Sequence, residues 1–493
     1  MPAKVTVGVD IGTTSVKALA VDDQGGIVAS QRVPHRILSP RPDWLEHDAL
    51  SAWARGPRRA FSAVCDKACQ AGGEIAAVCV AAMGPSMAAV DSKGRPLTPG
   101  ILYGDARGRT SHTGPANADT VLVEPSAMPD ASGFLQWAHS QAPHAAGYWP
   151  AQAVGTHALS GVAAIDSATS STLGDLYSRG RWDPEVISSI GVRADQLPRV
   201  VMMGHSAGQI RGKETVVAGG ALDALCDQIV SGASEVGDVL VICGATLVVW
   251  AVVDEWRESP GLWTVPHTEA GRILMGGPSN AGALFVDWAR SLLKGVPSAR
   301  PSAGGARAGL GSKPLSNLAP KLAAARDSED QMRSGDPSRI PVWLPYLRGE
   351  RVPHHDPDLR AGLFDLDITQ GPQALQRAAF EASGFVVRHI LDLAGVRARR
   401  IVASGGGARV GAWMAAMSDA ARLPVHTVAV PEGAAYGAAY LARMAAGLET
   451  SLEGAGAWAK LGRVIEPDKA WSVAADGRYQ RYRELADMMS QKP

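Results

Sequence analysis

Hydrophobic and polar positions alternate with period two at the start of the chain. Valines alternate with small or polar residues over Val5–Val9, and the alternation resumes over Val16–Asp22. Period two predicts β-strands, so the intervening residues Gly12–Ser15 form the turn of a hairpin. A helix is predicted over 48–69 and a strand over 74–82. Alternating strands and helices are typical of an α/β fold.

The turn of this hairpin carries residues that suit phosphate. Gly12 lets the backbone approach an anion, and the amides and hydroxyls of Thr13, Thr14 and Ser15 can donate to phosphate oxygens. Asp10 stands at the mouth of the turn, where a carboxylate can hold a magnesium ion bound to those phosphates. The alternative is an ordinary hairpin with a solvated aspartate.

Residues 237–254 repeat the pattern of strand, glycine-containing turn, strand and aspartate. With a one-residue gap the turns superpose, and Cys243 then stands where the first copy has Asp10. Two such hairpins predict two similar halves facing each other across a cleft, with the metal site in the first half. Chance similarity of two buried hairpins is the alternative. The repeat predicts domains at 1–235 and 236–493.

Asp223 is predicted at the N-terminus of a helix, after a strand over 215–218 and a Gly219-Gly220 turn. Aspartate is a favoured helix cap, which alone would explain it. The same position suits a catalytic base, because a helix N-terminus keeps the carboxylate ionised and ready to accept a hydroxyl proton. Position alone leaves both interpretations open.

Two other segments carry candidate binding groups. A short apolar strand ends in Tyr103, Asp105 and Arg107, a composition typical of a polyol pocket and also of a surface ion pair. A strand over 400–403 runs into the glycines of 405–407, ahead of a helix. Such glycines allow a flat group such as a purine to lie against the backbone, or they form a plain turn.

Three motifs are interpreted without chemistry. Residues 204–208 match a G-x-S-x-G nucleophile elbow, but a turn and a strand follow instead of a helix, so we interpret the motif as a loop. Residues 354–356, His-His-Asp, lie in a proline-rich segment without ligand spacing, which favours a solvated loop. Cys65 and Cys69 share a predicted helical face as small buried groups. Residues 297–339, with a helix predicted around 315–326, are expected to form a surface excursion.

Composition narrows the class. The 493 residues suit two to four domains, and 46% hydrophobic with 19% charged residues predicts a folded globular protein. Because 48 basic residues balance 48 acidic ones, we expect neither a nucleic-acid nor a membrane partner, while a local basic patch stays open. Five cysteines without a CxxC pair favour no zinc site. With no leader and no long apolar run, a cytoplasmic location is expected.

The chain resembles the FGGY carbohydrate kinases, within the actin, Hsp70 and hexokinase fold group. The resemblance runs nearly end to end and rests on DIGTTSVKA from Asp10, PGILYGDAR, Gly220-x-x-Asp223, Gly244-Ala245-Thr246, PYLRGERVP, SGGGARVGAW and PEGAAYGAA. It implies an α/β protein of two ribonuclease H-like domains, with the active site in the interdomain cleft and ATP and Mg²⁺ as cofactors.

The resemblance also implies roles for particular residues. Asp10 would bind magnesium, and Asp223 would take the proton from the sugar hydroxyl that attacks the γ-phosphate. The implied phosphate-binding residues are Gly12, Thr13, Thr14, Lys17, Gly244, Ala245 and Thr246. Gly406, Gly407 and Ala408 would bed the adenine. Met83, Gly84, Pro85, Tyr103, Asp105 and Arg107, with Asp223, would contact the substrate.

Departures from the family pattern concern the substrate rather than the reaction. Xylulose kinases usually carry Gln-Met-His at Met83-Gly84-Pro85 and Trp at Tyr103, and a common Lys is replaced near Gly133. Ala245 takes the place of the usual Thr. We expect an ATP-dependent kinase for a small sugar, most simply a pentulose such as xylulose, with ribulose, glycerol or erythrulose as alternatives. A catalytically silent nucleotide- or sugar-binding protein is the alternative from another class, and a homodimer stays open.

Overall fold

The computed structural model describes residues 3–41, 43–108, 131–178, 180–293 and 329–490. Its strands are β1 Ala3–Ile11, β2 Ser15–Val21, β3 Ile27–Pro34, β4 Glu46–His47, β5 Gly73–Ala82, β6 Ser86–Val90, β7 Gly100–Leu102, β8 Gly147–Trp149, β9 Ala164–Asp166, β10 Tyr177–Ser178, β11 Arg181–Trp182, β12 Arg199–Val201, β13 Ser206–Gln209, β14 Val216–Ala218, β15 Ala221–Leu222, β16 Asp238–Cys243, β17 Leu247–Val253, β18 Trp263–Pro266, β19 Ile273–Ser279, β20 Val342–Leu344, β21 Gly362–Phe364, β22 Arg400–Ser404, β23 Val425–Val428 and β24 Leu461–Ile465.

The α-helices are α1 Gly56–Gln70, α2 Ser132–Gln141, α3 Ala151–Ser160, α4 Ser167–Ser171, α5 Pro184–Ser189, α6 Asp223–Ile229, α7 Ala283–Leu293, α8 Pro372–Ala394, α9 Gly411–Ala421, α10 Gly433–Ala445 and α11 Lys469–Ser490. A π-helical segment, Leu50–Arg55, runs into α1, which confirms the helix predicted over 48–69. None of the described helices is both long and apolar enough to cross a membrane. The helix predicted around 315–326 lies outside the described residues.

Contacts divide the chain into two compact units. The first contains Met1–Ser234, Pro266–Arg272 and Glu432–Lys460, and the second contains Glu235–Val265, Ile273–Pro431 and Leu461–Pro493. The chain thus returns to the first unit after most of the second. The assignment of functional domains to 1–235 and 236–493 stays a prediction.

The sheet of the first unit has the order β13-β14-β5-β1-β2-β3, and β15 also pairs with β5. Strands β1 and β2 form the predicted antiparallel hairpin, while β5 lies parallel to β1 on its other edge. A smaller sheet, β4-β7-β6-β8, belongs to the same unit. The carboxyl ends of β1 and β5 therefore lie side by side, next to the hairpin turn.

Helix α10 covers one face of β1 at very short range. Thr6 Oγ1 donates a hydrogen bond to the carbonyl oxygen of Ala439 at 2.9 Å. A Cβ atom on Gly8 would lie 1.7 Å from the carbonyl oxygen of Ala435, and one on Gly437 would lie 2.0 Å from that of Cys226 in α6. Glycine at these positions allows β1, α10 and α6 to pack backbone to backbone.

The second unit repeats the central arrangement of the first. Its sheet has the order β18-β19-β17-β16-β22-β23-β24, with β16 and β17 antiparallel and β22 parallel to β16. The last rung of the first hairpin joins Ile11 to Val16, and that of the second joins Cys243 to Leu247. Cys243 therefore corresponds to Ile11, and the predicted equivalence of Cys243 with Asp10 is wrong by one rung.

Three other predictions are corrected by the structure. The segment 204–208 is not a loop throughout, because Ser206–Gln209 forms β13 and pairs with β14. His354 is not solvated, since its ring packs edge-on between Tyr346 and His389. Cys65 is half-buried and Cys69 is exposed, so these two do not form a buried pair.

Candidate active site

The two charged residues of the first hairpin face each other across one rung of the ladder. Asp10 pairs directly with Lys17, and Lys17 Nζ lies 3.4 Å from Asp10 Oδ2. Only 4% of Asp10 is exposed, so the alternative of a solvated aspartate is wrong. A carboxylate has two acceptor oxygens, so contact of Lys17 with Oδ2 leaves Oδ1 able to bind another cation.

Burial sets the protonation behaviour of this corner. It raises the pKa of Asp10, an effect that Lys17 opposes and that Glu432, just before α10, increases. Asp223, the first residue of α6, is partly buried, and burial together with the negative charge of Asp10 raises its pKa to about 7. Two carboxyl groups and one ammonium group therefore act on one another inside the first unit.

A histidine forms a hydrogen bond with the backbone of the hairpin turn. Trp53 Nε1 lies 3.0 Å from His47 Nδ1, and His47 Nε2 lies 2.8 Å from the carbonyl oxygen of Thr13. An indole N–H can only donate, so Nδ1 accepts and Nε2 carries the proton that it donates to Thr13. Burial and then the neighbouring His35 lower the pKa of His47 to about 4, which keeps the ring neutral. His47 thereby fixes the turn in one conformation.

One of the predicted substrate residues, Tyr103, contacts the same turn, and two others lie close to it in sequence. The hydroxyl of Tyr103 lies 2.9 Å from Thr13 Oγ1. Asp105 is fully buried and accepts hydrogen bonds from the amide of Leu45 and from the backbone and guanidinium of Arg107. Arg107 also donates to Glu46 Oε2 at 2.6 Å. Asp105 and Glu46 thus position Arg107 and neutralise its charge.

The segment Met83–Pro85 lies beside the helix that carries Asp223. A Cβ atom on Gly84 would come within 2.7 Å of Leu222 Cδ1, one residue before Asp223. Ser86 Oγ donates to the carbonyl oxygen of Met83 at 3.2 Å, which fixes the bend after β5. The predicted substrate segment and the predicted base are therefore neighbours in the first unit.

The second unit holds the other predicted nucleotide residues. The amides of Ala283 and Leu284, at the start of α7, donate to the carbonyl oxygens of Gly244 and Ala245 at 2.9 and 3.0 Å. This anchors the turn that ends in Thr246. Gly405–Ala408 follows β22, and Gly407 packs so closely on Cys243 and Trp413 that a Cβ atom would lie 2.8 Å and 2.4 Å from them. Packing alone therefore requires glycine at 407.

A Cβ atom on Gly406, by contrast, would meet no atom within 4 Å. The space next to the Gly406 backbone is therefore empty, as the binding of a flat ring against it requires. The glycine at 406 has no packing reason among the described residues. These observations fit a purine lying over this segment.

The carboxylate of Asp10 could bind magnesium together with ligands from outside the protein. Within the described ranges, no group of three or more His, Cys, Asp or Glu side chains could hold a metal by itself. Magnesium typically binds through one or two carboxylates while keeping waters and phosphate oxygens as its other ligands. Asp10 beside a phosphate-suited turn meets that requirement, so the residues present fit Mg²⁺ carried on a nucleotide.

Sequence reasoning missed the groups that reach the site from a distance. His47 and Glu46 lie in a two-residue strand, and Glu432 stands 422 positions after Asp10, whose pKa it influences. The glutamate and histidine follow Leu45 without a glycine or turn pattern to mark them. The pairing of β4 with β7 brings His47 into contact with Thr13 and Glu46 into contact with Arg107.

Comparison with known proteins agrees with this arrangement. Models of the FGGY family of carbohydrate kinases match residues 5–114 with the N-terminal domain and residues 239–446 with the C-terminal domain. The xylulose kinase of Escherichia coli K12 is 25% identical over 474 residues, covering 90% of this chain and 91% of that protein. The gluconokinase of Bacillus subtilis 168 is 24% identical over 453 residues, covering 84% of this chain and 82% of that protein.

The fold has close counterparts among solved structures. The crystal structure of xylulose kinase from Rhodospirillum rubrum superposes with a TM-score of 0.73 at 24% identity, covering 98% of this chain and 98% of that one. This likeness confirms the predicted two-domain fold of the actin and hexokinase type.

Proposed function

The chain belongs to the FGGY family of carbohydrate kinases, and from this membership we propose that it transfers the γ-phosphate of ATP to a hydroxyl of a small neutral sugar. A pentulose such as xylulose is the first choice of substrate. The observation that carries the proposal is Asp223, whose pKa is raised to about 7 beside Asp10 and Lys17. A base with a pKa near the working pH is suited to accept a hydroxyl proton.

In the proposed reaction a sugar hydroxyl oxygen attacks the γ-phosphorus. Its proton passes to the carboxylate of Asp223, a bond forms between oxygen and phosphorus, and the bond to the β-phosphate oxygen breaks to release ADP. Asp10 would hold Mg²⁺, which when bound neutralises charge on the phosphates. Lys17 and the amides and hydroxyls of Thr13 and Thr14 would orient the phosphate that is transferred.

We propose that residues of the second unit also contact the nucleotide. We assign the adenine to Gly406, Gly407 and Ala408, where the backbone at Gly406 is open. Gly244, Ala245 and Thr246 would contact the phosphates through amides and a hydroxyl, as we propose for the turn of the first hairpin. Positioning and charge neutralisation supply most of the rate in phosphoryl transfer, so these contacts are the core of the mechanism.

The charges around Arg107 support a neutral substrate. An acid such as gluconate needs an unpaired cation, but the guanidinium of Arg107 is bound to Asp105 and Glu46 at 2.8 and 2.6 Å. Tyr103, next to Thr13, offers a hydroxyl to a sugar instead. This favours ketoses and polyols over sugar acids.

The test is ADP release with ATP and magnesium over a panel of pentuloses, tetruloses, polyols, hexoses and gluconate. We expect a neutral sugar to give the highest kcat/KM, and Asp223→Asn to lower kcat at least about 10³-fold while still binding ATP by calorimetry. Gluconate as the best substrate would overturn the neutral-substrate part. No turnover with any sugar, in a wild-type protein that binds ATP by calorimetry, would favour a silent binding protein.

A further inference from the structure

A basic cleft lies in the first unit, and none of its lining residues belongs to the proposed kinase site. Its volume is about 470 Å³, and its charged or titratable lining residues are Arg55, Arg58, Lys93, Arg95 and His157. Small-molecule sites typically enclose about 300 to 1,000 Å³. Size therefore suits a metabolite, and the lining suits an anion.

The cations stand on two walls built by different elements. Arg55 and Arg58 are three positions apart at the junction of the π-helical segment with α1, and side chains three apart on a helix share a face. Lys93 and Arg95 come from the turn after β6, whose backbone is held because Asp91 Oδ1 accepts from both amides at 2.8 Å. The helix junction and the turn after β6 thus each contribute two positively charged side chains to the cleft.

His157, near the end of α3, also lines the cleft. Gly94 makes the close approach possible, because a Cβ atom there would lie 2.2 Å from His157 Cε1. The imidazole also packs against Trp149 at a centroid distance of 4.9 Å. The position of His157 is therefore set by its packing against Gly94 and Trp149.

Most of the positive charge in the cleft is not neutralised by ion pairs. Within the described residues, none of these four Arg and Lys side chains forms a salt bridge, and no acidic residue lines the cleft. Asp48 acts on Arg55, and Asp91 acts on Arg95 and Lys93, so part of the charge is offset at the rim. Arg58 Nε donates to the carbonyl oxygen of Ala158, which holds its guanidinium over the cleft.

We propose that this cleft binds a small phosphorylated anion, distinct from the nucleotide and sugar of the kinase reaction. Guanidinium groups match phosphate oxygens through paired N–H donors, and three arginines around one space can contact more than one phosphate group. The net charge of the whole chain is zero, so this local excess is not a general property of its surface. The proposal does not depend on the proposed kinase function.

The experiment is calorimetric titration of the full chain with pyrophosphate at physiological salt. Arg95→Gln and Arg58→Gln are compared with Arg59→Gln, which removes the same charge from an exposed neighbour on α1 that does not line the cleft. Arg58→Gln also loses the bond to Ala158, so Arg95→Gln is the cleaner variant. Any pyrophosphate held by the kinase turns is common to all four proteins and cancels in the comparison.

We expect Arg95→Gln and Arg58→Gln each to weaken binding at least about tenfold, and Arg59→Gln to change it less than twofold. Equal affinity of the wild type and both cleft variants would overturn the proposal. So would an equal loss in Arg59→Gln, since that indicates diffuse attraction. If Arg95→Gln instead weakens a ten-nucleotide DNA far more than pyrophosphate, the ligand is a nucleic acid and a small anion is wrong. Thermal unfolding of each variant checks that the fold is kept.

Discussion

Lys17 lies directly opposite Asp10 in the first hairpin, with its Nζ atom 3.4 Å from Asp10 Oδ2. The attraction raises the pKa of Lys17 and opposes the burial that raises the pKa of Asp10. In the proposed reaction the same ammonium group can turn from Asp10 to a phosphate oxygen. The pair would thus exchange partners when a nucleotide and its ion arrive.

The first prediction concerns Lys17→Met. Loss of the ammonium group removes a phosphate contact and raises the pKa of Asp10 further, so we expect the KM for magnesium-ATP to rise about tenfold or more. The KM for the sugar should change less than threefold. Lys4→Met, on the same hairpin but half exposed and paired with Glu74, is the matched control and should behave like the wild type. An unchanged KM for ATP in Lys17→Met would contradict the assignment.

The second prediction is that Asp223→Asn stabilises the protein at high pH. The folded-state pKa of Asp223 is about 7 and the ordinary value is 3.8, so the folded state favours the protonated form. Stability from this group is complete below about pH 4 and is lost as pH rises through 7. An amide does not ionise, so the variant should gain about 2 to 4 kcal/mol over the wild type at pH 8 and little at pH 4.

Urea unfolding at pH 4, 6 and 8 measures this effect. Asp23→Asn, at an exposed position in the turn after β2, is the matched control and should show no gain that grows with pH. An equal gain in the free energy of unfolding at pH 4 and pH 8 would mean that ionisation of Asp223 does not destabilise the folded protein. The measurement needs no knowledge of the substrate.

The third prediction separates shape from chemistry at His47. Glutamine can accept from Trp53 and donate to Thr13 as the neutral imidazole does, whereas leucine can do neither. We expect His47→Gln to keep kcat/KM for ATP within about threefold of the wild type. His47→Leu should lower it at least about tenfold, because the Thr13 carbonyl and the Trp53 N–H lose their partner, and should cost about 1 to 3 kcal/mol of stability.

Steady-state kinetics together with thermal unfolding distinguishes the two roles of His47. A loss of stability in His47→Leu without a change in KM for ATP would show that the histidine supports the core and not the turn. Equal losses in His47→Gln and His47→Leu would show that the hydrogen bonds are not what matters.

The fourth prediction uses two adjacent glycines. Gly407→Ala should destabilise the protein by about 1 to 3 kcal/mol, because its Cβ atom would overlap Trp413 and Cys243. Gly406→Ala meets open space and should unfold at the wild-type temperature. If adenine lies there, Gly406→Ala should still weaken ATP binding at least about fivefold in calorimetry, and unchanged affinity would place the purine elsewhere.

The sequence predicts best what depends on neighbouring residues. Alternation in Val5–Val9 and the Gly12–Ser15 turn correctly place Asp10 on a hairpin, and the Gly219-Gly220 break correctly places Asp223 at a helix start. The alignment of the two hairpins is harder to predict, because the sequence does not show which residues form the last pair before each turn. For this reason the sequence pattern matches Cys243 with Asp10, whereas the ladder places it at the position of Ile11.

Contacts between distant segments were not predictable. His354 stands in a segment that reads as solvated, yet residues from α8 and the β20 segment enclose its ring. His47 meets Thr13 across 34 positions, and Arg107 meets Glu46 across 61. A single sequence contains no periodic pattern that links such pairs, so burial and charge pairing of this kind emerge only from the packed structure.

The close packing of α10 on β1 has a consequence for biosynthesis. The hydrogen-bond partner of Thr6, Ala439, is made 433 positions after it. Until then α10 does not cover the face of β1 around Gly8, so the nascent chain exposes an apolar strand while the residues between them are made. The sheet that contains β1 is therefore expected to depend on chaperones until α10 emerges, and a product truncated before α10 to be recognised by quality control.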